Sequence, residues 1–185
     1  MMLKYIPNAL TLFRLGLIVP FLMYLYQHEY ANAFYTFILA GFTDGLDGLL
    51  ARHFNWQSFF GSFADPLADK LLIASSFISL ALIGLLPWWL VILVFLRDFT
   101  ISLGVLGWYL FIQRKMDFEP TQLSKFNTAF QLALVTFCLF ELAYFQFSPY
   151  LLDMLISLTA VTTAITYIDY IWTWGKKAWP KKELS

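Results

Sequence analysis

The segments TDGLDGLLAR at residues 43–52 and GSFADPLADK at residues 61–70 place four aspartates within otherwise apolar runs of the chain. A charge inside a membrane span costs at least about 2.5 kcal/mol, so such residues usually face a cavity or a partner and serve a function. The first two aspartates are three positions apart and the last two are four apart, which places each pair on one face of a helix. The two acidic faces are therefore predicted to oppose each other across a short reversal of the chain.

The composition of the rest of the chain indicates a membrane protein. Of its 185 residues, 60% are hydrophobic and 13% are charged, whereas a soluble domain is roughly 45–50% apolar and about 25% charged. Six helices of about 20 residues, each long enough to cross a bilayer, would use most of the chain. The twelve Lys and Arg are balanced by twelve Asp and Glu, which disfavours a partner made of nucleic acid. We therefore expect one membrane domain over residues 1–185.

Apolar runs separated by turn residues predict six helices. If the amino terminus is cytoplasmic, the connections near residues 28–32, 84–88 and 146–150 face outward, and none of them holds a Lys or Arg. The basic connections then lie on the same side as Lys4, as the positive-inside tendency expects. The sequence predicts an all-α polytopic membrane protein with six transmembrane helices and both termini cytoplasmic. The predicted helices lie at about residues 9–27, 31–52, 61–84, 87–113, 126–147 and 150–174.

Four carboxylates gathered in one place require cations. Oxygen ligands without a neighbouring His or Cys cluster favour Mg²⁺ or Mn²⁺ over zinc. Cys138 is the only cysteine of the sequence, so neither an intrachain disulfide nor a multi-cysteine metal site can form. Two divalent ions about 3.5–4 Å apart suit both the number of ligands and a phosphoryl displacement. The predicted ligands are Asp44, Asp47, Asp65 and Asp69.

A fixed spacing unites these acids with their neighbours. The pattern D-x2-D-G-x2-A-R, eight residues, then G-x3-D-x3-D is filled by Asp44, Asp47, Gly48, Ala51, Arg52, Gly61, Asp65 and Asp69. It resembles the signature of the CDP-alcohol phosphotransferase family, and the six-helix layout is similar to that family along nearly the whole chain. The resemblance implies transfer of a substituted phosphate from a CDP-linked donor to an alcohol, with release of CMP at a di-metal site facing the cytoplasm. It also implies a homodimer, for which the sequence identifies no interface.

The resemblance also implies roles for the matching positions. The four aspartates would hold the metals, and Asp69 would in addition be the general base that takes the proton of the acceptor hydroxyl. For Gly48 and Ala51, close packing of helices through small residues is the alternative explanation. The residues implied to line the CDP-linked donor are Asp47, Gly48, Ala51, Arg52 and Gly61.

The amino-terminal segment indicates which CDP-linked molecule is the donor. IPNALTLFR at residues 6–14 resembles the start of phosphatidylglycerophosphate synthases and of CMP-forming cardiolipin synthases alike, which implies CDP-diacylglycerol. Asn8 and Arg14 are candidates to reach the phosphate region of the donor. Alternatively, Asn8 caps the helix at the membrane interface and Arg14 extends its charge to that interface. Lys70 is a further candidate. Arg97, beside an aspartate in the fourth predicted span, either forms an internal ion pair or binds the acceptor.

The segment PTQLSKFNTAFQ at residues 120–131 discriminates between acceptors. It resembles the version found in cardiolipin synthases, whereas phosphatidylglycerophosphate synthases tend to show Gly-Lys-x-Lys-Thr. This chain has Ser124 for the glycine and Asn127 for the second lysine, and it keeps Lys125. Phosphatidylglycerol carries one diester charge and glycerol 3-phosphate nearly two, so the former needs fewer cations. Phosphatidylglycerol is therefore the predicted acceptor, with these three residues as candidate contacts and a phosphatidylglycerophosphate synthase as the close alternative.

Two other classes of protein remain open on the sequence alone. A divalent-cation transporter would use the acids for coordination, but such sites usually lie near the bilayer midplane between broken helices. These acids gather near one membrane face, beside Arg52 and Lys70. A noncatalytic membrane scaffold is supported only by the small and aromatic residues. With few residues before the first apolar run we expect no targeting extension, which favours a bacterial inner membrane over a mature mitochondrial chain.

Overall fold

The structure is a computed structural model that describes residues 6–54, 59–112 and 122–178. In this part of the chain it contains six α-helices and no β-strand, so the all-α prediction is confirmed. Three helical segments are long and apolar enough to cross a membrane, namely Asn8–Tyr26, Leu123–Ala143 and Pro149–Trp172. The helices are α1 (Ile6–Tyr26), α2 (Tyr30–His53), α3 (Phe59–Leu82), α4 (Trp88–Ile112), α5 (Gln122–Ala143) and α6 (Pro149–Ala178).

Helices α1 to α4 begin and end within three residues of the predicted positions, whereas α5 begins and ends four residues earlier and α6 ends four residues later. Residues 122–125 are polar apart from Leu123, so the sequence predicts that α5 begins at about residue 126. The structure includes residues 122–125 in the helix, where Oγ of Ser124 accepts a hydrogen bond from Arg97 of α4. Helix α5 ends at Ala143, and Pro149 disfavours the helical conformation at Ser148, the last residue of the connection. Pro149 is itself the first residue of α6, a position that suits its fixed φ.

Short connections join the helices in pairs at one end of the bundle. These connections are residues 27–29, 83–87 and 144–148, and we call this the closed end. The opposite end, where α2 ends and α3 begins, we call the open end. Helix α1 packs against α2 and α3, α5 packs against α2, α3 and α6, and α4 packs against α3 and α6. Helix α3 therefore lies between α1 on one side and α4 on the other.

Helix α3 finishes at the closed end in a Schellman motif. The amide of Leu85 donates to the carbonyl of Leu80, and the amide of Gly84 donates to that of Ala81, each at 3.0 Å. Gly84 supplies the left-handed conformation that this cap requires, with φ at 86°. Helix α1 ends in the same way, with His28 at a φ of 60°. Both caps satisfy carbonyl groups that a helix end would otherwise leave without partners.

The interior of the bundle changes character along its length. Large apolar side chains such as Phe99 and Ile168, at 64% and 65% exposure, cover the outside, as expected of helices that face lipid. Near the closed end the buried side chains are apolar and include Phe21, Leu25, Phe37, Phe77, Leu80, Leu90, Cys138 and Leu139. Toward the open end they are mainly polar and include Thr11, Arg14, Thr43, Asp47, Arg97, Asn127, Gln131, Thr163 and Thr166. A candidate site is therefore to be sought in the half of the bundle toward the open end.

The cap of α3 gives a test of the fold. We expect Gly84→Ala to lower the free energy of unfolding by about 1 kcal/mol, because an L-residue is strained at this φ. A Cβ at this position meets no atom within 4 Å, so the loss comes from the backbone alone. Gly41→Ala, in the interior of α2 and equally unobstructed, should be neutral or stabilising by roughly 0.5–1 kcal/mol. Thermal unfolding in detergent measures both variants, and equal effects would contradict the left-handed cap.

Candidate active site

The side chain of Arg14, in α1, is fully buried and contacts three carboxylates. Its Nη1 lies 2.6 Å from Oδ1 of Asp44 in α2. The same nitrogen contacts the carboxylate of Asp69 in α3, while Nη2 contacts that of Asp47 in α2. Arg14 was one of the candidates for the phosphate region, and the structure places it among the predicted metal ligands. This one side chain ties α1 to both α2 and α3.

The fourth predicted ligand, Asp65, meets the same face of α1. Thr11, which is buried one turn before Arg14, donates from Oγ1 to Oδ1 of Asp65 at 2.5 Å. Thr11 is not among the residues predicted from the sequence, although its spacing of three from Arg14 places both on one helix face. The structure thus brings all four aspartates of the pattern to one face of α1. We call the four aspartates together with Arg14 the carboxylate cluster.

The carboxylate cluster is short of positive charge. Three of its carboxylates contact the one guanidinium and the fourth contacts Thr11, so the formal charges, four negative against one positive, leave a net excess of negative charge. The side chain of Asp47 is 4% exposed, whereas those of Asp44 and Asp69 are 46% and 44% exposed. The cluster therefore has an enclosed side at Asp47 and an accessible side at Asp44 and Asp69. Like charges that are partly desolvated favour the arrival of further cations.

The residues predicted to bind the nucleotide continue from the cluster along the chain. Gly48, Ala51 and Arg52 lie in the last turns of α2, and Gly61 lies in the first turn of α3. Their backbones therefore extend from the aspartates toward the open end. The surroundings of their side chains, and the connection at residues 55–58, lie outside the described residues.

Arg97 in α4 is buried and has two partners. Its Nη1 donates to Oδ1 of the adjacent Asp98 at 2.5 Å, and its Nη2 donates to Oγ of Ser124 in α5 at 2.6 Å. Nε has no hydrogen-bond partner among the side chains that are described. Of the two readings of this residue that the sequence left open, the structure shows the internal ion pair. It also places Arg97 beside Ser124, a predicted acceptor contact.

Three polar residues about one turn apart on α5, namely Ser124, Asn127 and Gln131, form what we call the polar column. Asn127, one turn further, is fully buried, and its Oδ1 accepts hydrogen bonds from Oγ1 of Thr162 and of Thr163 in α6, both at 2.9 Å. Gln131 is buried one turn beyond. Gln131 is not among the predicted site residues, although its spacing of four from Asn127 indicates the same helix face. In the described part of the chain, the amide nitrogens of both side chains lack a partner, so the column has donors available for additional oxygen atoms.

The other predicted binding residues lie nearer the surface. Lys70 is exposed in α3, and its Nζ donates to Oγ of Ser102 in α4. Lys125 is exposed in α5. Asn8 is partly buried, three residues before Thr11 in α1. Among the described contacts, the structure thus brings one predicted cation, Arg14, into the carboxylate cluster and places the two lysines outside it.

The chain belongs to the CDP-alcohol phosphatidyltransferase family, whose family model matches residues 4–174. It is 37% identical over 182 residues to the probable cardiolipin synthase (CMP-forming) of Drosophila melanogaster. It is 36% identical over 188 residues to the cardiolipin synthase (CMP-forming) of Homo sapiens. The CDP-diacylglycerol--glycerol-3-phosphate 3-phosphatidyltransferase of Wigglesworthia glossinidia brevipalpis is 32% identical over 175 residues. The family resemblance predicted from the motif is therefore confirmed.

The relatives differ in how much of their own length is matched. The alignments cover 90% and 93% of this chain but only 56% of the Drosophila protein and 62% of the human protein. The chain therefore spans about six tenths of the length of these two relatives. The Wigglesworthia alignment covers 90% of this chain and 94% of the relative.

Enzymes of this family generally depend on divalent metal ions, and the carboxylate cluster fits such ions in donor type and charge. Its four aspartates supply the hard oxygen atoms that Mg²⁺ and Mn²⁺ prefer. The buried guanidinium of Arg14 shows that a positive charge is accommodated between them. In the described residues no group of three or more His, Cys, Asp or Glu side chains is arranged as a set of metal ligands.

Removal of the guanidinium tests the cluster through stability. We expect Arg14→Met to lower the free energy of unfolding by roughly 3 kcal/mol or more, because partly buried carboxylates lose their cation. Thermal unfolding in detergent with a chelator measures the loss, and added Mg²⁺ or Mn²⁺ should restore part of it. Lys125→Met, at an exposed cation, should stay within about 0.5 kcal/mol of the parent. Equal stability of the two variants would show that Arg14 does not hold the cluster together.

Proposed function

We propose that this chain is a CMP-forming cardiolipin synthase, which transfers a phosphatidyl group from CDP-diacylglycerol to phosphatidylglycerol and releases CMP. The observation that carries the proposal is the carboxylate cluster, in which the four aspartates of the family pattern meet with an excess of negative charge. Similarity to two CMP-forming cardiolipin synthases over 90% and 93% of the chain supports the choice of acceptor. The proposal treats residues 1–185 as one catalytic membrane domain.

The proposed enzyme crosses a membrane six times, with both termini and the site on the cytoplasmic side of a bacterial inner membrane. Helices α2, α3 and α4 have 24, 24 and 25 residues, and about 20 suffice to cross the hydrocarbon core. The closed-end connections hold no Lys or Arg, which supports an outward position for that end. A homodimer is part of the proposal through the family resemblance.

The proposal assigns two divalent ions, Mg²⁺ or Mn²⁺, to Asp44, Asp47, Asp65 and Asp69. When bound, such ions supply positive charge that offsets the charge developing on the leaving CMP. Asp47 would hold the enclosed side of the site, while Asp44 and Asp69 present half-exposed carboxylates on its accessible side. The donor would be lined by Asp47, Gly48, Ala51, Arg52 and Gly61, which follow one another from the cluster toward the open end.

Asp69 is the proposed general base. Its carboxylate is 44% exposed and is held by Arg14, so it is both oriented and reachable. The acceptor hydroxyl oxygen forms a bond to the phosphorus that carries diacylglycerol, and the bond from that phosphorus to the CMP oxygen breaks. The electron pair of the broken bond leaves with CMP, and the hydroxyl proton passes to Asp69. Catalysis of this kind rests on positioning and on electrostatic stabilisation.

The charges near the polar column favour an acceptor with a single negative charge. The guanidinium of Arg97 is shared with Asp98, so this pair is formally neutral. Ser124 and Asn127 are uncharged. At these two positions phosphatidylglycerophosphate synthases tend to have a glycine and a lysine. Phosphatidylglycerol offers one diester charge and a glycerol end, whose oxygens suit the neutral amide donors of the column. Asn127 and Ser124, with Lys125 at the surface, are the proposed acceptor contacts.

A phosphatidylglycerophosphate synthase is the second candidate. The observation that favours it is the Wigglesworthia relative, a glycerol-3-phosphate 3-phosphatidyltransferase that this chain matches over 94% of its length. Both candidates use the same carboxylates and the same donor, so the acceptor alone separates them.

An acceptor assay decides between these two enzymes. Purified protein with CDP-diacylglycerol and Mg²⁺ or Mn²⁺ is given phosphatidylglycerol in one reaction and glycerol 3-phosphate in another. We expect cardiolipin and CMP from the first, and little CMP from the second, because the described acceptor contacts provide few uncompensated cations for a doubly charged phosphate. Separation of the lipid products measures the outcome. Turnover of glycerol 3-phosphate without cardiolipin formation would overturn the proposal.

Replacement of the proposed base gives a second test. Asp69→Asn should retain the helical fold but release CMP roughly 10²–10⁴-fold more slowly, because the amide cannot take the hydroxyl proton. Circular dichroism and CMP release from CDP-diacylglycerol measure the two effects. Asp153→Asn, at an exposed acid near the closed end, is the matched control and should keep full activity. Full turnover by Asp69→Asn would exclude Asp69 as the base.

A further inference from the structure

An apolar cavity lies between α3 and α4, next to the carboxylate cluster but outside it. Its volume is about 200 Å³. Ala74 and Phe95 are among the apolar side chains that line it. Lys70, Asp98 and Ser102 contribute polar atoms on the side toward the open end. The cavity is therefore apolar over most of its wall and polar at one margin.

A second depression, of about 460 Å³, continues the first toward the closed end and is open along the outer face of α4, where Ile92, Leu96 and Phe99 are exposed. Phe95 and Phe99 line both cavities, and Trp88 lines the second. From Ser102 to Trp88 the helix α4 rises about 21 Å, at roughly 1.5 Å per residue. One leaflet of a hydrocarbon core is about 15 Å thick, so the two cavities together are long enough for a lipid chain. We call them the α3–α4 groove.

The polar margin of the α3–α4 groove carries a positive charge. Asp98 is neutralised by Arg97, whose Nη1 lies 2.5 Å from its Oδ1. The partner shown for the ammonium group of Lys70 is the uncharged hydroxyl of Ser102. The formal charge of this margin is therefore that of one lysine. A long apolar groove ending at a cation is complementary to an amphiphile with an acyl chain and an anionic phosphate.

The position of Lys70 relates this groove to the proposed chemistry. Asp69 and Lys70 are consecutive residues of α3, yet Asp69 contacts Arg14 of α1 while Lys70 contacts Ser102 of α4. The residues proposed to bind the CDP group lie at the end of α2 and at the start of α3. A lipid in the groove would thus reach Asp69 from the α4 side of α3, whereas the donor nucleotide occupies the open end near α2.

We propose that the α3–α4 groove holds an acyl chain of the acceptor phospholipid, with its phosphodiester at Lys70 and its free glycerol end directed toward Asp69. This inference rests on the proposed function, because it requires an acceptor that is itself a membrane lipid. The acceptor is chosen over the donor because one cation matches a single diester charge. A water-soluble acceptor would have no use for the apolar part of the groove.

Filling the groove tests the proposal by steady-state kinetics. Ala74 is partly buried and lines the first cavity, so Ala74→Trp occupies its space. With saturating CDP-diacylglycerol, the KM for dioleoyl phosphatidylglycerol should rise roughly tenfold or more, since several chain methylenes lose their contacts. The KM for dihexanoyl phosphatidylglycerol and that for CDP-diacylglycerol should stay unchanged. Ala129→Trp, the same substitution at an exposed position of α5, should behave as the parent.

Substitutions of Lys70 test the positive charge at the polar margin of the α3–α4 groove. Lys70→Met should raise the KM for both phosphatidylglycerols, because both carry the diester, and Lys70→Arg should restore it. An unchanged KM for dioleoyl phosphatidylglycerol in Ala74→Trp would overturn the proposal. An increase in the KM for CDP-diacylglycerol instead would assign the groove to the donor. A change in oligomeric state of Ala74→Trp, measured by cross-linking, would make the groove a contact between copies of the chain.

A binding measurement separates the groove from the reaction. Phosphatidylglycerol with a diazirine in its acyl chain should label peptides spanning residues 67–74 and 94–102 in the full-length protein, and Ala74→Trp should abolish the labelling. Unlabelled phosphatidylglycerol should compete and CDP-diacylglycerol should not. Labelling without cardiolipin synthesis would overturn the proposed function while leaving the lipid site in place. Cardiolipin synthesis without labelling of these peptides would overturn the groove alone.

Discussion

The contact between the guanidinium of Arg14 and its three carboxylates is the interaction on which the rest of the structure depends. Acidic side chains in an apolar bundle repel one another and lose hydration, and a buried cation between them offsets both effects. Because Arg14 belongs to α1 and its partners to α2 and α3, this contact also sets the relative depth of the three helices. The remaining helices pack around that unit, so the arrangement of the open end follows from one buried charge.

The two halves of the bundle have different interiors, one apolar and one mainly polar. Phe21, Phe77 and Leu90 belong to an apolar core next to short connections and capped helix ends. Such a core is closely packed and has few alternative arrangements. In the other half, Arg97 and Asn127 keep internal partners but have further donors without any in the described residues. Under the proposed function, these donors would bind substrate oxygens, while the apolar half keeps the helices in place.

Much of this architecture was accessible from the sequence, because hydropathy and spacing are local properties. These properties predict six helices, the meeting of four aspartates and Arg14 as a candidate site residue. They did not give the hydrogen bond from Thr11 to Asp65, the second partner of Arg97 or the early start of α5. Spacing determines which residues share a face, but not how far each helix is rotated toward its neighbours. Cross-helix partners depend on that rotation, and polar helix starts resemble connections when their burial is unknown.

The consecutive residues Asp69 and Lys70 give α3 a mechanical property. Their side chains leave the helix roughly 100° apart and contact different neighbours, so α3 separates two regions of opposite charge. Rotation of α3 by ten degrees about its axis moves its Cα atoms by about 0.4 Å, and the tips of longer side chains move further. Because both side chains belong to one rigid helix, any rotation of α3 about its axis displaces the two charges together.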